Sequence, residues 1–198
     1  PRAPVNCGAA GVSTGRPSFA ARISTISGLC ATTRPDGTFI FDGVGPGKWR
    51  VTGASLPPNW SLRSAVLEGR DTLDAPLEVR LGQPIADLRV TITDRPTAIT
   101  GTIFDAAGQP TSEYSIVAFS TERALWTVPR RVSSVTRLSS DGRFTITGLP
   151  PGEYYLAVSA DLDPAELSDA AFLESLVSAA IRVAIAEGER KVQDFRIR

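Results

Sequence analysis

Hydrophobic and polar positions alternate most clearly over residues 36–55, DGTFIFDGVGPGKWRVTGAS. An Asp-Gly pair starts a turn, Phe39 and Phe41 alternate with other residues, Pro46-Gly47 reverses the chain, and Trp49 and Val51 resume the alternation. Turn residues flanking a period of two predict turn, strand, turn, strand. The stretch returns 105 positions later as DGRFTITGLPPGEYYLAVSA, residues 141–160, with Asp, Gly, Phe, Gly, Pro and Gly in register. There Phe144 and Ile146 precede the Pro151-Gly152 turn, and Tyr154, Leu156 and Val158 follow it, so the inward residues match between copies. Trp49 and Tyr154, the aromatic residues after each Pro-Gly turn, read as core.

A second echo relates LEVRLGQPIADLRVTIT, from Leu77, to IRVAIAEGERKVQDFRIR, from Ile181, each a strand, a polar turn and a closing strand. Two copies about 105 residues apart suit tandem sandwiches; a solenoid repeats every ~20–50 residues. The predicted organisation is a first β-sandwich over residues 1–95 and a second over 96–198, with the boundary near Asp94-Arg95-Pro96. The second opens on a strand over residues 98–104. The first has no clear counterpart: ahead of its first convincing strand, residues 19–26, lies PRAPVNCGAAGVSTGRPS, rich in Gly, Pro and small residues and poor strand material. One helix is expected over about 164–180, where Leu167, Phe172, Leu173, Leu176 and Val177 keep helical spacing behind Asp163 and Pro164.

Composition agrees with an all-β class. Of 198 residues 42% are hydrophobic, and 17 Gly and 15 Pro punctuate the whole chain, as many short strands require. Twenty-one basic and 21 acidic residues cancel, which argues against nucleic acid or an anionic membrane as partner. No apolar run reaches the ~18–20 residues of a membrane span. The chain begins at Pro1 and contains no Met, as a processed chain or a fragment would. Cys7 and Cys30 are the only cysteines, with 22 residues between them and outside metal-ligand spacing; a disulfide is expected, with two buried thiols as the alternative.

The DGxFxFxGVxPGxWR and DGRFTITGLPPGEYYL patterns resemble the carboxypeptidase regulatory-like domains. That resemblance implies a transthyretin-like, prealbumin-type sandwich, similar in role to immunoglobulin-like modules. It further implies a secreted or surface setting without chemistry of its own.

Candidate chemistry is sparse. There is no histidine, which removes Ser-His-Asp and Cys-His triads, imidazole zinc sites and the commonest general base. Asp71 and Asp74, or Asp161, Asp163 and Glu166, are grouped closely enough to hold a cation, though turn and helix-cap roles suit them as well. No phosphate-binding or dinucleotide glycine motif occurs. No cofactor or metal is expected. A Lys-Asn isopeptide crosslink has only Lys48, Lys191, Asn6 and Asn59 to draw on. Asn59-Trp60-Ser61 satisfies the N-glycosylation rule. Over residues 122–131, Leu125, Trp126, Arg130 and Arg131 combine aromatic, apolar and cationic groups as a partner-binding surface would, or as a loop packed on its own sheet would.

These observations lead to a non-enzymatic extracellular structural protein, with the chain itself as partner. Residues near Pro1 to Ser13 would complete the first sandwich of a neighbour and build a filament. A binding or spacer module of a larger secreted enzyme or outer-membrane receptor, holding other surface proteins or glycans at the Trp126 loop, is the alternative. A histidine-free carboxylate enzyme would need two acidic groups facing one cleft, and no spacing selects a pair.

Overall fold

The computed structural model describes residues 22–25, 30–32, 34, 36–41, 43–55, 60–135 and 138–197. The chain divides into two compact units, residues 1–94 and 95–198. It is all-β with a single α-helix among the described residues. Cys7, Asn6, Asn59 and the N-terminal stretch proposed for strand sharing lie outside the described residues, as does the side chain of Cys30.

The first unit contains β1 (Arg22–Thr25), β2 (Cys30–Thr32), β3 (Gly47–Trp49), β4 (Val51–Ser55), β5 (Ser61–Leu67), β6 (Arg70–Asp71), β7 (Leu77–Val79) and β8 (Arg89–Thr93). β1 lies between β2 and β4, β3 pairs with β7, and β5 lies between β6 and β8, all antiparallel. A two-residue turn joins β5 to β6 with Glu68 and Gly69 both at positive φ, 49° and 79°, the geometry that matches strand twist in tight hairpins. Asp71 fixes the chain on either side of this hairpin, its Oδ1 accepting from the backbone N–H of Ala65 and of Leu73, both at 3.0 Å. The core is small: Val51, Ala65 and Leu73 are buried, with Phe39, Phe41, Leu62, Leu77, Leu88 and Val90 packed against them.

The second unit contains β9 (Ala98–Phe104), β10 (Ser115–Ser120), β11 (Val132–Val135), β12 (Arg143–Thr147), β13 (Gly152–Ser159), α1 (Ala170–Val177), β14 (Ile181–Ile185), β15 (Arg190–Val192) and β16 (Phe195–Arg196). One sheet runs β11-β10-β13-β14, all antiparallel. The other runs β12-β9-β15, with β16 continuing along β9, and both closing strands are parallel to it. Alternation puts Ile99 and Ile103 of β9, and Phe144 and Ile146 of β12, between the sheets. They meet Ile116, Tyr154, Leu156, Val183, Ile185 and Phe195 there, each such side chain contributing roughly 1.5–3 kcal/mol by leaving water. β10 is buried along its whole length, because its outer face is covered as well. Val117 and Phe119 pack there with Trp126, Tyr155, Ala157 and Leu173 of α1.

Three expectations require correction. The helix expected over 164–180 is two pieces, a 3-10 turn at Pro164–Ser168 and α1. Asp163 caps the first, and Asp169 interrupts by capping the second, its carboxylate accepting from the Ala171 N–H at 2.8 Å. Short acidic side chains offer the backbone this alternative to a continuous helix. Asp169→Ala is expected to cost about 1 kcal/mol, measurable by urea unfolding. Next, Phe39, Ile40 and Phe41 belong to no strand, whereas their counterparts in β12 pair with β9; among the described residues the first unit has nothing equivalent to β9. Finally, Trp49 is half-buried at the margin of its core, with its indole N–H donating to the Gly45 carbonyl at 2.9 Å.

Candidate functional site

The repeated turns set the frame. At the first, Asp36 Oδ1 accepts from the backbone N–H of Thr38 at 2.9 Å and from its hydroxyl at 2.7 Å. At the second, Asp141 Oδ1 accepts from the Ser139 hydroxyl and the Arg143 N–H. The Thr38 N–H, then its hydroxyl, hold Asp36 below the ordinary carboxylate range, and the Ser139 hydroxyl does the same for Asp141. The folded state therefore favours the charged forms. Their contribution is present above the ordinary carboxylate range and fades as pH falls through the lowered values. The melting temperature of Asp141→Asn is expected to lie below that of the unaltered chain at pH 7 and to converge with it as the pH falls below the ordinary carboxylate range.

After each turn the chain reverses at Pro-Gly. Tyr154 is buried, its hydroxyl donating to the Pro150 carbonyl at 2.7 Å. Arg131 braces the same corner, with Nη1 3.1 Å from both the Pro151 carbonyl and the Tyr154 hydroxyl. These residues form the heart of the second unit's motif, and residues 98–197 match the carboxypeptidase regulatory-like domain. The chain belongs to the carboxypeptidase regulatory-like family. The family match covers the second unit, while the first unit's kinship rests on the repeated residues 36–55.

No curated protein matches the chain. Solved structures similar to it include the Bacillus anthracis TIE protein, 14% identical over 90% of this chain and 30% of that one, TM-score 0.33. The major pilin subunit of Bacillus cereus is 14% identical over 80% and 41%, TM-score 0.38. Catechol 1,2-dioxygenase from Acinetobacter is 15% identical over 52% and 52%, TM-score 0.30. The chain thus spans less than a third of the first of these and about half of the others.

In this family member the Trp126 loop is turned inward. Trp126 is 5% exposed, stacks edge-on against Phe119 with ring centroids 5.5 Å apart, and donates its indole N–H to the Ser120 carbonyl at 2.7 Å. The loop's composition suggested an exposed aromatic surface, and burial of the ring removes it. The Arg123 guanidinium lies 5.6 Å over the ring and pairs with Glu174 of α1 at 3.1 Å, while Leu125 and Arg130 are half-buried. What remains accessible is a shallow depression of about 310 Å³ lined by Trp126, Thr127, Pro129, Val132, Leu167 and Ser168. Loop composition alone did not reveal this; the neighbouring two-faced strand SIVAFS was the available signal.

The grouped carboxylates have local work. Asp163 and Glu166 form a reciprocal capping box, and Asp71 holds its turn. Among the described residues no three acidic or cysteine side chains converge as a metal site. Lys191 donates to the Ala184 carbonyl at 2.8 Å. No helix among the described residues is long and apolar enough to cross a membrane.

The larger opening lies in the first unit. A groove of about 740 Å³ is lined by residues 37–41, 43–44 and 83–90 together with Trp49, Val51, Leu77 and Val79. Its banks carry exposed apolar side chains, Ile40 at 52% and Ile85 at 37%.

Proposed function

We propose that this is a non-enzymatic extracellular structural protein, secreted to the cell surface, whose copies join into filaments by strand sharing through residues near Pro1 to Ser13. The observation that carries this reading is the groove: the first unit exposes an apolar slot beside strand-like residues that have no ladder partner among the described residues. Unpaired edges of this kind recruit strands, and a head-to-tail joint that does not close propagates. Family membership fits a stiff module without chemistry of its own. Negative-stain microscopy is the test, on the full chain and on one lacking residues 1–18. Concentration-dependent fibres only with the segment support the reading, and monomers in both samples reject it.

Under the same proposal the Cys7–Cys30 disulfide would join neighbouring copies, giving a ladder on non-reducing electrophoresis. Asn59 remains a proposed glycosylation acceptor, checked by a glycosidase-dependent mass shift. The second reading, a spacer or binding module of a larger secreted protein, draws on the 310 Å³ depression at Trp126. A monomer that loses glycan or peptide binding on Leu167→Asp would favour it.

A further inference from the structure

We propose that Lys191 and Glu189 guard the open edge of the second unit: they occupy outward backbone groups of β14 and its flank, and so keep a second copy of the chain from adding its own β14 there. The guard belongs to the second unit alone and stands whether or not copies join through the first.

The edge is defined by parity. β14 ends the sheet β11-β10-β13-β14 and is paired on one side only. The N–H of Thr121, directly after β10, donates to the Glu153 carbonyl at 3.0 Å, so Glu153 of β13 turns its backbone toward β10. Successive residues of a strand point their backbone groups to opposite sides. Gly152, Tyr154 and Leu156 therefore face β14, where they stand opposite Ile185, Val183 and Ile181. Arg182 and Ala184 turn their N–H and C=O groups away from the sheet. Beside them lies a second edge, β15, which ends the other sheet. Glu189 accepts from the Ala98 N–H and Gln193 donates to Thr100, so Lys191 faces β9 and the backbone of Val192 faces out, its side chain 72% exposed.

Bare, the β14 edge fits its own copy. Two β14 strands meeting antiparallel about Val183 set Arg182 of each opposite Ala184 of the other, and each such pair exchanges two N–H···O bonds. About four bonds then join the copies and carry the antiparallel sheet across a two-fold axis. A second copy is the strand to exclude, because it brings the same outward groups at the same spacing, while every described strand of the second unit is already held in a ladder.

Two side chains stand in the way. Lys191 reaches from β15 and donates its ammonium to the Ala184 carbonyl at 2.8 Å, which takes the acceptor of half those bonds. The Glu189 carboxylate accepts from the Ala186 N–H, the next outward group, at 2.6 Å, and its other oxygen lies 4.0 Å from the Lys191 ammonium. A strand adding to β14 has to displace both and strip water from the ammonium; lysine at a sheet edge discourages pairing in this way. The residue type fits the task. Of 21 basic residues only Lys48 and Lys191 are lysine, and a compact ammonium can end on one carbonyl, whereas the guanidinium of arginine is a broad fork.

The test is Lys191→Met in the full chain, which keeps the aliphatic stem and removes the charge and the donor. Sedimentation is run at concentrations where the unaltered chain is monomeric, with hydrogen exchange read at the amides of Arg182 and Ala184. The variant is expected to dimerise at least about tenfold more tightly than the unaltered chain and to protect both amides, which exchange freely in the unaltered chain. Adding Ala184→Pro deletes an outward N–H without touching the bonds to β13 and is expected to restore the monomer. Lys191→Thr, too short to reach the carbonyl, gives the same readings if the methionine variant fails to fold.

A folded Lys191 variant that stays monomeric with both amides open overturns the guard. Association with those amides still open puts the contact elsewhere and overturns it too, as does a double variant that associates as strongly as the single one. Protection of both amides in a monomer, altered or not, means that a segment of the same chain covers β14, which overturns the second copy as the excluded strand. Unfolding of both lysine variants also overturns the guard, since a guard is dispensable to the fold.

Discussion

Replacing Gly101 by Ala is expected to destabilise the second unit by about 3 kcal/mol or more, lowering its melting temperature by roughly 12 °C or more at ~4–8 °C per kcal/mol. A Cβ at this position would come within 1.9 Å of the Gln193 carbonyl oxygen and 2.8 Å of the Phe144 ring. Neither neighbour can withdraw cheaply. Gln193 donates its own N–H to the Thr100 carbonyl at 2.8 Å, so displacing it strips the parallel ladder between β9 and the closing strands, and Phe144 is buried in the core. The backbone of Gly101 is not in the left-handed region, so the penalty is one of space alone. Calorimetry of the variant measures it, and an unchanged melting temperature would mean that residues 190–196 do not lie against β9.

Trp126→Ala is expected to cost about 3–5 kcal/mol. The substitution empties a place between Phe119 and Leu173 and leaves the Ser120 carbonyl without its indole donor. Urea unfolding is the measurement. A residue whose role is to hold a ligand would instead leave stability nearly unchanged and remove binding, so a loss under about 0.5 kcal/mol, the range of ordinary surface changes, would restore the recognition role.

Much of the second unit is readable from local pattern. The turn-strand-turn-strand motif, the inward set Phe144, Ile146, Tyr154 and Leu156, and the opening strand all come from a period of two bounded by Gly and Pro. What local pattern does not carry is pairing between distant segments. The Trp126 loop has the composition of a surface, yet its fate is decided by Phe119 and by α1, about 45 residues further on. The helix is legible as apolar spacing, but spacing alone does not register the competing cap at Asp169. In the first unit, Phe39 and Phe41 carry the same alternation as Phe144 and Ile146 and still form no strand, because a strand exists only with its neighbour.

The closing strands of the second unit bear on how it would behave under load. Residue 98 opens the unit and residue 196 closes it, in strands that lie side by side and point the same way. Tension applied at the two ends draws these strands past one another along their length. Four bonds then resist at once: Ala98 N–H to the Glu189 carbonyl at 3.0 Å, Gln193 N–H to Thr100 at 2.8 Å, Ile197 N–H to Phe104 at 2.9 Å, and Thr102 N–H to the Asp194 carboxylate at 2.8 Å. Strands joined as a hairpin would peel apart one bond at a time. Because forced unfolding is governed by the height of that barrier and not by the equilibrium stability, this unit is built to withstand stretching to a degree that its modest size would not suggest.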